Sequence, residues 1–328
     1  LSSVLAFALP EGAPDSFLIA ASHSDSPTFK LKDNYLSPAF GKYVRFNTER
    51  YGGMLLSTWF DRPLSVAGRV ILRQDGHFIA KSVVVDRDLC LIPNVAIHLN
   101  RDVNNGYKYN PAVDLLPLYG MADSTQTVKK EVAEAAGVAE DAVVGADLYL
   151  YDRTPGVIFG ADNAFFASPR IDNLMCAYGT LRGFLDAREV QNAVKVYACF
   201  DNEETGSATK QGAASMLLRD TLSRIAESAS VDLRRMLANS FMVSADNGHA
   251  RHPNHPELID GQNAPDLNGG VVIKANAAQK YTTDALSAAL FSSICRSAGV
   301  PVQGYANRSD LPGGSTLGSI SDVQVPLC

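Results

Sequence analysis

The pattern of apolar residues changes after Pro169, and this change narrows the folds that are open to the chain. Beyond that residue, apolar runs of strand length alternate with segments whose apolar residues recur at helical spacing. The run at 193–200 (AVKVYACF) is typical of a buried strand, and 211–222 is typical of a helix. The segment 283–298 is typical of a helix that carries Leu286, Leu290 and Ile294 on one face and stops at Gly299. Strands that alternate with helices indicate a three-layer α/β/α domain.

The stretch from 32 to 161 has a different character and favours β-structure. The segments VAGRVILR and HFIAKSVVVD both favour strands, and the Asp75-Gly76 pair between them is typical of a tight hairpin turn. A short apolar strand at 17–22 precedes this stretch. We therefore predict an α/β domain formed by 1–31 and 162–328 and interrupted by a β-rich domain at 32–161.

The charge balance and the cysteines exclude several classes of protein. The 328 residues include 29 Lys and Arg against 35 Asp and Glu, which gives a net charge of −6. This acidity argues against nucleic acid and against an anionic membrane surface as partners. No apolar run approaches the roughly 20 residues of a membrane span. The five cysteines are odd in number and widely spaced, which favours reduced thiols in a cytoplasmic protein.

Acidic residues and one histidine follow the predicted strands or lie in loops beside them. They are His23 with Asp25, Asp172, Glu203 with Glu204, and Asp246. The carboxyl ends of parallel strands meet in one crevice of an open α/β sheet, so we expect these groups to converge. Several carboxylates together repel one another unless a cation lies between them. Imidazole and carboxylate are ligands of zinc, and a carboxylate can bridge two ions, so the pattern predicts a two-metal site.

The spacing within this set suggests how the roles divide. Asp25 lies two residues after His23, where a carboxylate can fix the orientation of a metal-binding imidazole. Of the adjacent Glu203 and Glu204, one can bind a metal ion while the other accepts a proton from water. The chemistry that this predicts is metal-assisted hydrolysis.

Four of these residues also have a simpler interpretation. Asp172 could cap a helix, and the acidic pair at 203–204 could complement a helix dipole in a first turn. Asp246 begins Asp-Asn-Gly, which is common in turns. His249, His252 and His255 resemble a metal-binding cluster, but the prolines between them prevent a helix that would align them, so we expect loop or pocket histidines.

Seven blocks of the sequence resemble one known family. They are HSDSPTFKLK (23–32), LNRDVN (99–104), SPRIDNL (168–174), FDNEETGS (200–207), SADNGHARHPNHPE (244–257), LNGGVVIKANAAQKYTTD (267–284) and NRSDLPGGSTLG (307–318). In this order, and over nearly the whole chain, they resemble the aspartyl aminopeptidases, which are metallopeptidases. The resemblance implies a catalytic α/β/α domain that is interrupted by a β-rich dimerisation domain.

The resemblance also implies roles for individual residues. The implied metal ligands are His23, Asp172, Glu204 and Asp246, with Asp172 bridging two ions. Glu203 is the implied general base, and Asp25 is the implied carboxylate that orients His23. His98 resembles a histidine that the inserted domain contributes to the active site of a partner subunit. Lys274, Arg308 and Asp310 resemble residues on the substrate side of the site.

The resulting hypothesis is a metalloaminopeptidase that removes the N-terminal residue from peptides, with water activated by two metal ions. The family prefers an acidic first residue, and Lys274 is the candidate cation for it. Zinc is expected, with cobalt or manganese as alternatives. The resemblance further implies a cytoplasmic homo-oligomer, a tetrahedral dodecamer assembled from dimers. The alternatives are an inactive homologue that serves in assembly or peptide binding, and a related hydrolase of small amides.

The two ends of the sequence lead to one further expectation. The family carries its last metal ligand, a histidine, in a QLAMHS-like block beyond GGSTLG, and it has a helical segment before the first strand. The sequence contains neither feature, so we expect it to be part of a longer protein.

Overall fold

A computed structural model describes residues 2–188, 190–314 and 317. The chain divides into two compact units. One, here called the split unit, comprises Leu1–Ser26 and Arg170–Cys328, and the other, the inserted unit, comprises Pro27–Pro169. The divisions fall at 26/27 and 169/170 rather than at the predicted 31/32 and 161/162. The catalytic and dimerisation roles of these parts stay predictions.

The described strands, in chain order, are β1 (Val4–Ala8), β2 (Ser16–His23), β3 (Thr28–Ala39), β4 (Tyr43–Tyr51), β5 (Leu64–Gln74), β6 (His77–Val84), β7 (Leu118–Met121), β8 (Val143–Asp152), β9 (Val157–Phe159), β10 (Phe165–Ala167), β11 (Ala193–Phe200), β12 (Phe241–Ser244), β13 (Val271–Ala275) and β14 (Val302–Ala306). The described α-helices are α1 (Val128–Ala136), α2 (Ile171–Asp186), α3 (Leu217–Ser228), α4 (Leu233–Ala238) and α5 (Ala285–Ser297). None of these helices combines the length and the apolar character that a membrane crossing requires.

The split unit contains a four-stranded sheet in the order β1-β11-β2-β12. Strands β11, β2 and β12 are parallel to one another, and β1 runs antiparallel to β11 along the edge. Strands β2 and β11 are almost entirely buried, which explains their continuous apolar sequences. Because the three strands are parallel, their carboxyl ends lie at the same edge of the sheet. A separate parallel pair, β13 and β14, accounts for the remaining strands among the described residues of this unit.

Alternate residues of β11 pack against helices on opposite faces of this sheet. Val196 belongs to a core that includes Leu222 of α3 and Met236 of α4. The next residue, Tyr197, packs with Ala177 of α2 in a second cluster. Helices therefore cover both faces, and the predicted three-layer α/β fold is confirmed.

The inserted unit is built on a six-stranded antiparallel sheet in the order β6-β5-β8-β3-β4-β7. The predicted hairpin is present, because β5 pairs with β6 across Asp75 and Gly76. These two residues have φ values of 50° and 79°, the pair of positive angles that a two-residue hairpin turn requires. The core of the inserted unit includes Phe29, Phe46 and Leu148, all of which are fully buried.

Two expectations about helices differ from the structure. The segment 211–222 was expected to be helical throughout, but α3 begins only at Leu217. The residues before it form turns, with the backbone N–H of Gly212 bonded to Thr209, so the helix starts later. In α5, the predicted apolar face of Leu286, Leu290 and Ile294 is exposed, at 65%, 45% and 50%. Helical spacing therefore located α5 but not its buried side.

Candidate metal centre

The carboxyl edge of the four-stranded sheet gathers the residues that the sequence singled out. His23 is the last residue of β2 and is buried. Glu203 and Glu204 form a short 3-10 turn just after β11, and Asp246 follows β12 by two residues. Asp172 lies in the first turn of α2. The parallel direction of the strands is what brings these distant positions together.

Three of these side chains form a group that can hold a metal ion. One donor atom each from His23, Asp172 and Asp246 lies within 4.8 Å of the others. The Nε2 atom of His23 is 3.6 Å from Asp172 Oδ1 and 3.4 Å from Asp246 Oδ1. These distances exceed those of typical N–H···O hydrogen bonds. They are close to the edge of about 3.3–3.4 Å that a tetrahedron with zinc–ligand bonds of about 2.0–2.1 Å would have.

The donor set therefore fits zinc in number and in chemical type. Zinc accepts both imidazole nitrogen and carboxylate oxygen as ligands, and catalytic zinc sites have three protein ligands. Asp172 does not behave as a simple helix cap. It lies inside the first turn with a non-helical ψ of 109°, and its side chain is 58% exposed.

Asp25 contacts both His23 and the turn that carries Glu203 and Glu204. The Nδ1 atom of His23 lies 3.3 Å from the Asp25 carboxylate and 3.1 Å from its backbone carbonyl oxygen. The same carboxylate accepts the backbone N–H groups of Glu203 and Glu204, each at 3.1 Å. Asp25 thus contacts the imidazole, as expected, and also stabilises the glutamate turn. The second contact was not predicted, since a carboxylate bound to a distant backbone has no signature in the sequence.

The two glutamates lie beside the three-residue group. Glu203 Oε2 is 3.8 Å from His23 Nε2, and its side chain is 16% exposed. Neither Glu203 nor Glu204 belongs to the group of three donors that lie within 4.8 Å of one another. The assignment of Glu204 as a ligand and Glu203 as a base therefore stays a prediction.

The electrostatics of this edge favour a bound cation or bound protons. Burial alone would lower the pKa of His23, but the carboxylates of Asp246, Asp25 and Glu203 raise it to about 10. The partial loss of water around the Asp172 carboxylate raises its pKa, and repulsion from Asp246 adds to the increase. Asp246 differs: burial would raise its pKa, but His23 and Lys274 lower it overall.

The pKa values of Glu203 and Glu204 are raised, like that of Asp172. Burial is the main cause that raises the pKa of Glu203 to about 7, and the charges of Asp246, Asp25 and Asp172 contribute. Burial and the charge of Glu203 raise the pKa of Glu204 to about 8. Without a metal ion, these groups hold protons near neutral pH, so metal and protons compete for the same site.

Lys274 lies next to this cluster, on β13. Its Nζ donates hydrogen bonds to Asp246 Oδ2 and to the carbonyl oxygen of Asn247, both at 3.0 Å. The ammonium group also lies 5.5 Å from the centre of the Tyr281 ring. Its positive charge is therefore paired with a candidate metal ligand.

The other predicted site residues have partners of their own. Arg308 forms a two-pronged ion pair with Asp310, with both N···O distances at 2.6 Å, and it contacts the carbonyl oxygen of Glu257. His98 lies in an exposed turn of the inserted unit. Their roles toward substrate stay predictions. Ser315 and Thr316 of the GGST segment lie outside the described residues.

The three closely spaced histidines have separate partners. His249 Nε2 lies 3.0 Å from the hydroxyl of Tyr305, and His255 Nδ1 lies 3.1 Å from Glu257. His252 accepts the backbone N–H of Asn254 at 3.1 Å. None of them belongs to the metal-binding group found among the described residues. Their placement agrees with loop and pocket histidines.

An α/β sheet with this set of donors at its carboxyl edge defines a metalloenzyme of the α/β class. The family model described as "Aminopeptidase I zinc metalloprotease (M18)" matches residues 1–326. The chain belongs to the M18 family of zinc aminopeptidases, and it is a metalloaminopeptidase.

Individual relatives agree with this assignment. "Probable M18 family aminopeptidase 2" of Clostridium acetobutylicum is 44% identical over 99% of this chain and 78% of its own length. A cryo-EM structure of the Ape4 and Nbr1 complex is similar with a TM-score of 0.91 and 34% identity, over 98% of this chain and 67% of that one. The mApe1 dodecamer of S. cerevisiae has a TM-score of 0.81 and 26% identity, over 98% and 74% of the two chains.

Proposed function

We propose that this protein removes the N-terminal residue from peptides with the help of two divalent metal ions, and that it prefers an acidic first residue. The observation that carries the proposal is the convergence of donor atoms from His23, Asp172 and Asp246 next to the half-buried Glu203. A peptide with a free N-terminus would bind through its unprotonated α-amine, whose nitrogen can ligate a divalent ion held by these residues. A blocked N-terminus lacks this nitrogen ligand, so cleavage would be confined to free N-termini.

The metal ions would be held by His23, Asp172, Glu204 and Asp246, with Asp172 shared by both ions. Zinc is the expected metal, since the family is one of zinc metalloproteases. When bound, ions of this kind polarise the scissile carbonyl group and lower the pKa of water, which makes water a nucleophile at neutral pH.

Glu203 would serve as the general base. Its carboxylate lies beside the three-residue donor group without belonging to it, where it can exchange a proton with a water molecule at the metal ions. Its carboxylate would accept a proton from the attacking water and deliver it to the nitrogen of the leaving peptide. Asp25 would hold the backbone of Glu203 in place through the hydrogen bond to its N–H group.

Substrate selection would depend on residues around this centre. Lys274 is the cation closest to the candidate ligands and would attract an acidic first side chain. Arg308 and Asp310 would form part of the wall that faces the substrate. His98 would act in the active site of a partner subunit.

We further propose a homo-oligomer in the cytoplasm. The S. cerevisiae mApe1 structure is a dodecamer, and its similarity to this chain supports a comparable assembly. The cysteines at 90, 176, 199 and 295 are free thiols, which supports a reducing compartment.

The test combines chelation with a substitution that leaves the metal ligands intact. Treatment with EDTA should abolish hydrolysis of an Asp- or Glu-initiated chromogenic peptide, and added zinc, cobalt or manganese should restore it. Glu203→Gln should retain metal but lower kcat by about 10²–10⁴-fold, whereas Asp172→Ala should also lose metal. Glu227→Gln, an exposed carboxylate of α3, is the matched control and should behave as the unaltered protein.

Three outcomes would contradict the proposal. Activity that is unaffected by the chelator would exclude metal-assisted hydrolysis. A protein that binds zinc and peptide without any turnover would favour the inactive homologue. Equal cleavage of N-blocked and free peptides would favour a hydrolase of amides instead.

A further inference from the structure

Asn173 is a completely buried polar residue beside the candidate metal centre. It follows Asp172 in the first turn of α2. Its side-chain Nδ2 donates a hydrogen bond to the carbonyl oxygen of Ala245 at 3.0 Å, and its Oδ1 accepts the backbone N–H of Asn247 at 3.3 Å. These two backbone groups lie on either side of Asp246. The Asn173 amide therefore links two elements. It belongs to α2, which carries Asp172, and it bonds to the segment that carries Asp246.

The arrangement matters because Asp172 and Asp246 come from different elements and repel each other. Their separation has to be maintained by groups other than the two carboxylates. Two hydrogen bonds from one planar amide restrict both the position and the rotation of the Asp246 segment relative to α2. Cys176, one turn further along α2, adds a contact from its Sγ to Asn247 Oδ1 at 3.2 Å.

We propose that Asn173 is a positioning residue that sets the metal affinity of the site by fixing the Asp246 carboxylate relative to Asp172. It acts through these two ligands and contacts neither metal nor substrate. The inference rests on the proposed metal centre. Residues that orient the ligands of a metal change its affinity by about 10–100-fold when they are replaced.

The experiment measures the zinc dissociation constant of Asn173→Ala by competition with a chromophoric chelator. We expect the dissociation constant to rise at least tenfold and kcat to recover toward the unaltered value at saturating zinc. Ser240→Ala is the matched control. Ser240 is also buried, and its hydroxyl accepts the N–H of Phe17 at 2.9 Å and donates to the carbonyl of Met236 at 2.6 Å. Ser240 precedes β12, whereas Asp246 follows that strand at its other end. Loss of the Ser240 hydroxyl should therefore lower stability but keep the zinc dissociation constant within twofold of that of the unaltered protein.

The outcomes separate a positioning role from a merely structural one. A zinc dissociation constant for Asn173→Ala within threefold of that for Ser240→Ala would overturn the inference, whatever the loss of stability. If Asn173→Ala does not fold, Asn173→Ser is measured against the same threefold limit, since serine can keep one of the two hydrogen bonds.

Asp246→Ala distinguishes failure of the inference from failure of the proposed function. If Asp246→Ala leaves zinc binding unchanged, the proposed metal centre is wrong, and the inference fails with it. If Asp246→Ala abolishes zinc binding while Asn173→Ala binds zinc normally, only the inference is wrong.

Discussion

Lys274 carries one positive charge but has two candidate partners. In the structure, its ammonium group is bonded to Asp246 and to the carbonyl oxygen of Asn247. As the proposed receptor for an acidic substrate, it would have to share that charge with a metal ligand. Lys274 can therefore act on the substrate directly or act through Asp246, and the two roles predict different kinetics.

Replacing Lys274 with glutamine tests which role dominates. If Lys274 binds the acidic side chain, Lys274→Gln should lower kcat/KM at least tenfold more for a Glu-initiated peptide than for an Ala-initiated one. The ammonium–carboxylate attraction exists only with the first substrate. Steady-state kinetics on the matched pair measure the ratio. An equal loss on both peptides would instead assign Lys274 to the support of Asp246.

At the scale of elements, the glycine that ends α5 was easier to predict than the buried face of that helix. Gly299 was predicted to stop α5, and it follows the helix with a φ of 69°. The N–H groups of Gly299 and Val300 bond back to the carbonyl oxygens of Arg296 and Cys295, which is the Schellman arrangement. This signal is local, because it depends on one residue type at one backbone angle. The buried face of α5 depends instead on what packs against it, and helical spacing alone did not identify it.

Two glycine substitutions in the split unit should change stability in opposite directions. Gly299→Ala forces a side chain into the left-handed region and should lower stability by about 1 kcal/mol. Gly179→Ala lies within α2 with no atom within 4 Å of the new Cβ, and it should raise stability by about 0.5–1 kcal/mol. Thermal unfolding of the two variants under one condition provides the measurement. Shifts of the same sign would contradict the assigned helix positions.

At the scale of the whole molecule, the site depends on topology more than on any local motif. The alternation of strands and helices predicted a parallel sheet, and the parallel sheet explains why His23 and Asp246 meet at one edge. The contacts that hold them there were not predictable. Asp25 and Asn173 bond to backbone groups of distant segments, and a backbone group does not reveal its partner through residue type. The sequence thus predicted that the candidate ligands converge and that Asp25 contacts His23, but not the backbone contacts of Asp25 and Asn173.

This concentration of carboxylates should make the stability of the metal-free protein depend on pH. Folding raises the pKa of Glu203 and Glu204 from 4.5 to about 7 and about 8, so the folded state binds more protons than the unfolded state across this range. Stability must then fall as pH rises from 5 to 8. His23 acts in the same direction: with a folded pKa of about 10, its contribution is complete below 6.5 and is lost as pH rises toward 10. The lowered pKa of Asp246 acts below pH 4 and leaves this range unaffected.

Thermal unfolding in EDTA at pH 5, 6, 7 and 8 should therefore show a falling midpoint. Excess zinc should raise the midpoint most at pH 8, because a cation replaces the protons that the ligands have lost. Glu204→Gln should flatten the slope in EDTA, since it removes one of the groups responsible. A metal-free protein that is more stable at pH 8 than at pH 5 would show that these carboxylates do not share a buried, mutually repelling site, and the metal centre would lose its electrostatic basis.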